Sequence, residues 1–304
     1  MWCSCYSRLV SLRERGPIVT FTFDDFPRTA MTNGARVLEQ FGARATYYVA
    51  MGLMNTTNRL GQQFRKEDLH FLVERGHEIA SHTFSHSSAR EVPHNTFRRD
   101  VEDGEKAIAQ ILDDSVGGNF AYPYGAVTLT TKRTLGPKML SCRGTCPGLN
   151  GPEVDLNLLR ANCLYGDVDQ ADGAKQLVLE NERRRSWLIF YSHDVTPNPS
   201  RFGCTPALLE SVASFVANRG SKMLTVSEVM AEIGQRSKQE DHPQVSSAAV
   251  KPVSFALSAK RQAGALMNLS SPMIQRSPIV RRPEELGNAK FGVDSRFRIL
   301  DPSG

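Results

Sequence analysis

The chain has 304 residues and a formal net charge of +5 at pH 7. Residues 1–235 contain 26 basic and 26 acidic side chains, whereas residues 236–304 contain 11 basic and 6 acidic ones. A neutral main region argues against nucleic-acid binding, and no stretch approaches the ~20 apolar residues of a membrane span. Because the N-terminal sequence also lacks the pattern of a signal peptide, we expect a soluble, cytoplasmic protein.

Residues 17–235 alternate short β-like runs with amphipathic helical stretches. The β-like runs cover residues 18–23, 45–50, 77–82, 119–124, 138–143, 158–164, 186–193 and 222–226. The helices include residues 35–43, 66–76 and 205–220. In the last of these, Thr205 is the expected N-cap, Pro206 the first helical residue and Gly220 the stop signal.

Strands that alternate with helices in this way predict βα units and a parallel sheet. Seven or eight such units in about 220 residues favour a distorted (β/α) barrel with about seven parallel strands. An open, doubly wound sheet is the alternative. We therefore expect an α/β domain over residues 17–235, preceded by an N-terminal extension over residues 1–16.

Residues 236–304 are basic, rich in Ser, Pro, Lys, Arg and Gln, and show no sustained period. Such a composition buries too little apolar surface to offset the loss of chain entropy, so we predict a disordered C-terminal tail. Within it, residues 254–269 have the pattern of one short helix that forms on a partner, whose identity the sequence does not give.

The six cysteines have C-x-C and C-x3-C spacings, which match no zinc ribbon and, in a chain of this length, no disulfide framework. We expect free and mostly buried thiols. The residues are Cys3, Cys5, Cys142, Cys146, Cys163 and Cys204.

Side chains that can carry chemistry follow four of the predicted strands. They are Asp24 and Asp25 after the first, His82 and His86 after the third, the YPYG segment 122–125 after the fourth, and His193 and Asp194 after the seventh. Because the C-terminal ends of parallel barrel strands lie on one face, we expect these side chains to converge.

The spacing of His82 and His86 allows both imidazoles to reach one cation, and Asp25 supplies a third ligand. Asp24 then has the chemistry of a general base that activates water, and His193 has that of a proton donor to the leaving group. The alternatives are an ordinary helix N-cap for the two aspartates and a capped helix start with two incidental histidines.

The segments "TFDD", "SHTFSH", "YPYG" and "LIFYSHD", in this order, resemble those of the polysaccharide deacetylase family, also called the NodB-homology domain or carbohydrate esterase family 4. The resemblance covers about residues 17–232. It implies a distorted (β/α) barrel and removal of N-acetyl groups from N-acetylglucosamine units in chitin, chitooligosaccharides, peptidoglycan or exopolysaccharide.

The resemblance also assigns roles to residues at matching positions. It implies a divalent metal, zinc before cobalt or manganese, held by Asp25, His82 and His86, with Thr83 bonding locally to hold the loop between the histidines. The remaining roles are Asp24 as catalytic base, His193 as general acid, and Pro123 with the Tyr124 N–H as the oxyanion-binding and substrate-binding motif.

Two positions depart from the family pattern. Ala121 stands two residues before the proline, where the family has an arginine that pairs with the catalytic base. Arg143 and Arg160 lie near predicted strand ends and are candidates to replace it, the alternative for both being an ordinary surface or rim salt bridge. Phe26-Pro27 replaces a Gly-Pro pair after the aspartates.

The acid that tunes the catalytic histidine in the family has three candidates here, Asp155, Asp167 and Asp169. Tyr122 and Tyr124 fit either sugar stacking or packing. Arg183 to Arg185 fit a solvated helix end, and Trp187 a structural role. These residues do not change the main prediction.

We therefore expect a metal-dependent hydrolase that removes N-acetyl groups from an oligo- or polysaccharide of the chitooligosaccharide type. One alternative is a related amidase or esterase that acts on a small non-sugar amide or an O-acetyl ester. The other is a catalytically impaired pseudoenzyme that binds sugar without turnover.

Overall fold

The computed structural model describes residues 5–12, 15–112 and 118–240, without the side chains of residues 235–240. The tail predicted over 236–304, apart from the backbone of its first five residues, lies outside the described residues. So does the short helix predicted at 254–269. Among the described helices, none is both long and apolar enough to cross a membrane.

Twelve strands and seven α-helices make up the described residues. The strands are β1 (Leu9–Ser11), β2 (Ile18–Asp24), β3 (Ala45–Val49), β4 (Thr57–Asn58), β5 (Gly61–Gln62), β6 (Glu78–Ser81), β7 (Asn119–Ala121), β8 (Ser141–Arg143), β9 (Glu153–Asp155), β10 (Asn162–Cys163), β11 (Trp187–Ser192) and β12 (Lys222–Met223). The helices are α1 (Arg36–Gln40), α2 (Lys66–Glu74), α3 (His94–Leu112), α4 (Leu129–Leu135), α5 (Ala171–Arg184), α6 (Pro206–Asn218) and α7 (Val226–Glu240).

Seven parallel strands follow one another around a curled, half-barrel sheet in the order β10-β11-β2-β3-β6-β7-β8, and β12 pairs with the N-terminal end of β2. A bridge between Arg143 and Leu159 links β8 to the segment that leads into β10. The prediction of a distorted barrel of about seven parallel strands is confirmed.

Strand β2 lies inside this sheet, between β11 and β3, and all seven of its residues are buried. Phe21 and Phe23 pack with the outer helices, and Ile18 belongs to a second apolar cluster with Tyr48 and Trp187. Burial on both faces is what a parallel sheet covered by helices requires, and β-branched and aromatic residues suit it. The buried Trp187 donates to the Thr20 hydroxyl at 2.8 Å, which confirms its structural role.

The helix that precedes the Gly220 stop is as predicted. The Thr205 hydroxyl accepts from the Leu208 N–H at 3.2 Å, Pro206 opens α6, and Gly220 has a φ of +73°. The helix predicted at 35–43 instead begins with a π-helical turn over residues 30–35 and continues as the short α1.

Several strands are shorter than predicted. The run 119–124 ends at Ala121 because Pro123 opens a 3-10 turn, and the runs 138–143 and 158–164 form strands only in their last three residues and in residues 162–163. The N-terminal extension contributes β1, which pairs antiparallel with β9, a contact that local periodicity does not indicate.

The prediction of free cysteines is confirmed for the five that the structure describes. The prediction that they are mostly buried is wrong, because Cys5, Cys146 and Cys163 are exposed and only Cys142 and Cys204 are buried. The exposed thiols lie in surface loops or on the edge strand β10, where the apolar core does not cover them.

Candidate active site

The predicted catalytic side chains converge in a cleft of about 250 Å³ at the C-terminal ends of the parallel strands. Its walls include Asp24, Asp25, His82, His86, Tyr124 and His193. The convergence follows from the parallel topology, because every strand delivers its last residue to the same face.

Asp25, His82 and His86 form the tightest group in the cleft. The Asp25 Oδ1 lies 3.0 Å from the His86 Nε2 and 3.7 Å from the His82 Nε2. One ligand atom from each residue lies within 4.8 Å of those of the other two. Such a set fits one small cation with positions left for water and substrate.

The outer nitrogens of the two histidines are held by neighbouring groups. The His82 Nδ1 lies 2.8 Å from the Ala121 carbonyl oxygen, and the His86 Nδ1 lies 3.1 Å from the Tyr124 hydroxyl. Such bonds fix the ring orientation and leave Nε2 directed at the cation position, as is usual for metal-binding histidines.

Burial and charge set the protonation states of this group. Burial alone raises the pKa of Asp25, but the contact with His86 and the charges of His82 and His193 outweigh it and lower the pKa to about 2. Burial lowers the pKa of His82 to about 4, against the opposing effect of Asp24. An ionised carboxylate and a neutral imidazole are the forms that bind a metal.

The observed donors fit a divalent metal. The Asp25 Oδ1 is buried and accepts no hydrogen bond from the described residues, although a buried carboxylate oxygen is costly to leave without a partner. Two imidazoles and one carboxylate are a set that zinc accepts and that cobalt and manganese also tolerate.

Loops with unusual backbone conformation present these ligands. Asp25, Phe26, Thr83, His86 and Tyr124 all have a positive φ, between 55° and 68°. Non-glycine residues rarely adopt this region, and such strain concentrates at functional sites. Phe26, which replaces a family glycine, is fully buried against Tyr47 and does not narrow the cleft.

Asp100 of α3 ties the loop between the two histidines, a role that the sequence does not reveal. It accepts from the Ser85 N–H at 2.9 Å and from the Ser87 hydroxyl. The Thr83 hydroxyl, predicted to hold this loop, is buried beside the same Asp100 carboxylate. Gly104 of α3 lets the loop approach, because a Cβ there would lie 2.7 Å from the Thr83 carbonyl carbon.

Arg143 replaces the arginine that is missing at Ala121. It is fully buried, and its Nη2 donates to Asp24 Oδ1. Ala121 of β7 and Arg143 of β8 are register partners, so the guanidinium reaches the carboxylate from the adjacent strand. Arg160 donates instead to the Pro147 carbonyl in a surface loop and lies outside the site.

The guanidinium of Arg143 lies between two aromatic rings. Its Cζ is 4.8 Å from the Tyr48 ring centroid and 5.3 Å from that of Tyr191. Attraction to the two π faces and to Asp24 offsets part of the cost of burying this charge. The buried Arg143 therefore holds the Asp24 side chain in place, while Asp24 still lines the cleft.

His193 lines the cleft with Tyr165 and Phe202 beside it, at ring distances of 6.1 and 5.6 Å. Its Nδ1 lies 3.1 Å from the Phe202 carbonyl oxygen. Asp194 is buried and accepts from the Ser200 N–H at 2.7 Å, which shapes the loop that carries Phe202.

None of the three candidate acids takes part in this histidine's hydrogen bonding within the described chain. Asp155 pairs with the buried Lys132, Asp167 accepts from the Val168 N–H, and Asp169 is exposed on a 3-10 turn. A backbone carbonyl takes the place of the expected acid, and this choice depends on loop geometry that no local pattern encodes.

The YPYG segment forms a 3-10 turn after β7. Pro123 is buried and opens the turn, whereas Tyr124 is 63% exposed and its ring lies 4.6 Å from the His86 ring. Gly125 has a φ of +62°, and a Cβ there would lie 2.0 Å from the Thr145 Oγ1. Tyr122 packs in the core against Phe120 at 5.1 Å, so sugar stacking is ruled out for it by burial.

Several cleft residues were not predicted. They are Arg59, Leu60, Thr145, Tyr165, Tyr191 and Phe202. They come from loops and strand ends scattered along the chain, and no spacing in the sequence connects them. Arg183 and Arg184 are exposed near the end of α5 and pair with Glu180, as a solvated helix end predicts.

The family model for polysaccharide deacetylases matches residues 12–137, a range that includes Asp24, Asp25, His82, His86 and Tyr124. Over this range the chain is similar to the polysaccharide deacetylase family. The similarity supports a hydrolase that deacetylates carbohydrates, a class of enzymes that generally depend on a divalent metal. None of the curated protein sequences compared with this chain matches it.

One solved structure of low sequence identity shares the fold of this chain, and two others are similar to it at lower TM-scores. A family 4 acetyl xylan esterase from Clostridium thermocellum, in complex with a cobalt ion, has a TM-score of 0.50 and 19% identity, over 71% of this chain and 92% of its own. The family 4 esterase domain of a xylanase from the Trinervitermes trinervoides hindgut metagenome has a TM-score of 0.47 and 20% identity, over 72% of this chain and 92% of its own. The peptidoglycan deacetylase PdaC from Bacillus subtilis has a TM-score of 0.45 and 16% identity, over 74% of this chain and 95% of its own.

Proposed function

We propose that this protein removes N-acetyl groups from an oligo- or polysaccharide that contains N-acetylglucosamine, releasing acetate and a free amine. The observation that carries the proposal is the arrangement of three groups in one cleft. A three-ligand cluster lies beside Asp24, which is paired with Arg143, and His193 lines the same cleft.

Asp25, His82 and His86 would hold a divalent metal, zinc first with cobalt or manganese as alternatives, and the metal would supply Lewis-acid chemistry to the acetyl carbonyl and to water. The chain contributes the ligand geometry. His82 and His86 are held in the required orientation by the Ala121 carbonyl and the Tyr124 hydroxyl.

Asp24 acts as the general base. Its Oδ1 is taken by Arg143, which leaves Oδ2 to accept a proton from the attacking water. Because Arg143 fixes the side chain, the carboxylate is oriented before the substrate arrives.

The Tyr124 N–H stabilises the oxyanion that develops on the acetyl oxygen. Within the described residues no acceptor is found for this N–H, and the positive φ of Tyr124 belongs to a turn beside the ligand His86. A preorganised backbone donor is an effective source of such stabilisation.

His193 donates a proton to the departing amine. With Nδ1 held near the Phe202 carbonyl, Nε2 is the nitrogen available to the cleft. The aromatic rings of Tyr165, Tyr191 and Phe202 line the same cleft and offer apolar faces against which a sugar ring can pack.

Acetate release from tetra-N-acetylchitotetraose by the metal-loaded protein tests the proposal. We expect Asp24→Asn to abolish release and Asp169→Asn, the same change at an exposed aspartate outside the cleft, to leave it intact. Metal retention is measured for both variants, because Asp24 is not one of the three ligands.

Three results contradict the proposal in different ways. Full metal content without release of acetate from any substrate indicates the sugar-binding pseudoenzyme. Release only from an O-acetylated xylooligosaccharide, or only from a small amide, indicates the related esterase or amidase. Equal activity of the wild type and Asp24→Asn overturns the assignment of the base. A cytoplasmic location stays a prediction.

A further inference from the structure

Arg59 places a positive charge at the edge of the cleft. It lies at the turn of the β4–β5 hairpin and lines the cleft opposite the strand ends. The hairpin is anchored to the segment after Asp25, because the Phe64 N–H donates to the Phe26 carbonyl at 3.2 Å and the two rings stack at 5.2 Å. The chain therefore holds Arg59 in a defined position relative to the catalytic carboxylates.

A second arginine, Arg201, lies close to the Phe202 ring, although it is not itself one of the residues that line the cleft. The Arg59 Cζ lies 5.3 Å from the Phe202 ring centroid, and the Arg201 Cζ lies 4.6 Å from the same centroid. The Phe202 ring is also 5.6 Å from the His193 ring. Two guanidinium groups thus lie close to one aromatic ring beside the proposed general acid.

Neither guanidinium has an anionic partner in the part of the chain that the structure describes: no ion pair or hydrogen bond of Arg59 or Arg201 is found there. Of the cleft carboxylates, Asp24 pairs with Arg143, and Asp25 faces the two histidines. Two like charges near one ring repel each other, and an anion that contacts both relieves this repulsion.

The two arginines remain able to bind an anion. The N–H donors of a guanidinium lie in its own plane, so a group that contacts a ring through its π face keeps those donors for a ligand. Paired N–H donors match the two oxygens of a carboxylate, and such charge-assisted bonds are stronger than neutral ones. The site therefore suits a planar anion on a sugar bound in the cleft.

We propose that Arg59 and Arg201, on the platform of Phe202, form a subsite for a carboxylate carried by the sugar next to the N-acetylated one. The preferred substrate is then an acidic oligosaccharide rather than a neutral one. This inference rests on the proposed function, since it names the substrate class of the same cleft.

The test uses a matched pair of tetrasaccharides. One alternates N-acetylglucosamine with glucuronic acid, and the other is the same molecule with its carboxylates reduced to alcohols. The measured quantity is the ratio of kcat/KM for acetate release from the acidic and the reduced molecule. We expect a ratio of about ten or more in the wild type, falling about tenfold in Arg59→Ala and also in Arg201→Ala.

Three further arms sharpen the test. Arg59→Lys keeps the charge but loses the planar donor pair, so its ratio should lie between those of the wild type and Arg59→Ala. Arg36→Ala removes an exposed arginine on α1, away from the cleft, and should keep the wild-type ratio. A disaccharide with the carboxylate on a lactyl ether distinguishes a ring carboxylate from one on a flexible arm.

The outcomes separate this inference from the proposed function. If acetate is released with a ratio near one in the wild type, or with a ratio that the arginine variants do not change, the subsite is wrong and the deacetylase activity stands. If no substrate releases acetate, the proposed function fails, and calorimetric binding of the two tetrasaccharides decides the subsite. Tighter binding of the acidic molecule that Arg59→Ala abolishes then supports it, and equal binding overturns it.

Discussion

The two ends of strand β6 each carry a buried histidine, and the two differ in what their nitrogens contact. His77, before the strand, accepts from the Ala45 N–H at Nδ1 and lies 3.1 Å from Glu39 at Nε2. His82, after the strand, bonds the Ala121 carbonyl through Nδ1, and its Nε2 faces Asp25 at 3.7 Å in the cleft.

Burial does not distinguish these two histidines, because it lowers the pKa of both. The distinguishing feature is whether the protein satisfies the second nitrogen. At the N-terminal end of the strand it does, and the ring is structural. At the C-terminal end the second nitrogen is left facing a carboxylate and another imidazole, which is the arrangement of a metal ligand.

The largest effect that tests this contrast comes from the matched variants His82→Gln and His77→Gln. We expect His82→Gln to lose bound metal and to reduce acetate release about a thousandfold, because one of three ligands is removed. We expect His77→Gln to keep both its bound metal and its rate of acetate release. Metal analysis after loading, together with the acetate assay, measures the difference. Full metal content in His82→Gln would remove the basis of the comparison.

The next effect concerns the base at the C-terminal end of β2. Arg143→Met removes the partner of a buried carboxylate while filling a similar volume, so we expect Asp24 to lose its fixed orientation and kcat to fall about a hundredfold. The unpaired buried charge should also lower the free energy of unfolding by about 3–5 kcal/mol. Steady-state kinetics and urea unfolding measure the two losses.

A second-site change makes this prediction specific. Ala121 and Arg143 are register partners, so their side chains lie side by side on one face of the sheet. Adding Ala121→Arg to Arg143→Ala should restore part of kcat, because it returns a guanidinium to the neighbouring position. A double variant no better than Arg143→Ala would show that only β8 can support Asp24.

The position of the arginine that pairs with Asp24, at Arg143 and not at Ala121, shows what the sequence could not predict. Asp25 and His82 follow from short motifs at strand ends, because the parallel fold brings such ends together. The choice between Arg143 and Arg160 needed the pairing of β7 with β8, which is a long-range property. The aromatic and arginine side of the cleft was missed for the same reason, since residues such as Arg59 and Phe202 meet only in three dimensions.

A smaller effect is expected at Gly125, in the turn after β7. Gly125→Ala places a Cβ 2.0 Å from the Thr145 Oγ1 at a φ of +62°, so the turn that carries the Tyr124 N–H must shift. We expect kcat to fall about tenfold and the free energy of unfolding to fall by about 1–2 kcal/mol. Gly173→Ala in α5, where no atom lies within 4 Å, is the matched control and should be neutral or stabilising. Unchanged kcat in Gly125→Ala would argue against an oxyanion role for this turn.

The smallest effect is expected at His77, the structural histidine before β6. Burial lowers the pKa of His77 below its ordinary 6.5, Arg44 and Arg75 lower it further, and Glu39 opposes them. The unfolded chain therefore binds the proton at a higher pH than the folded chain, so the stability that the neutral ring supports is present above pH 6.5 and is lost as the pH falls below it. Urea unfolding at about pH 7.5 and pH 5.5 should show a smaller loss of stability in His77→Gln than in the wild type. His82 is present in both proteins, so its contribution to the pH dependence cancels when they are compared. An equal loss of stability in the wild type and in His77→Gln would show that His77 is not the group that senses pH at this end of the strand.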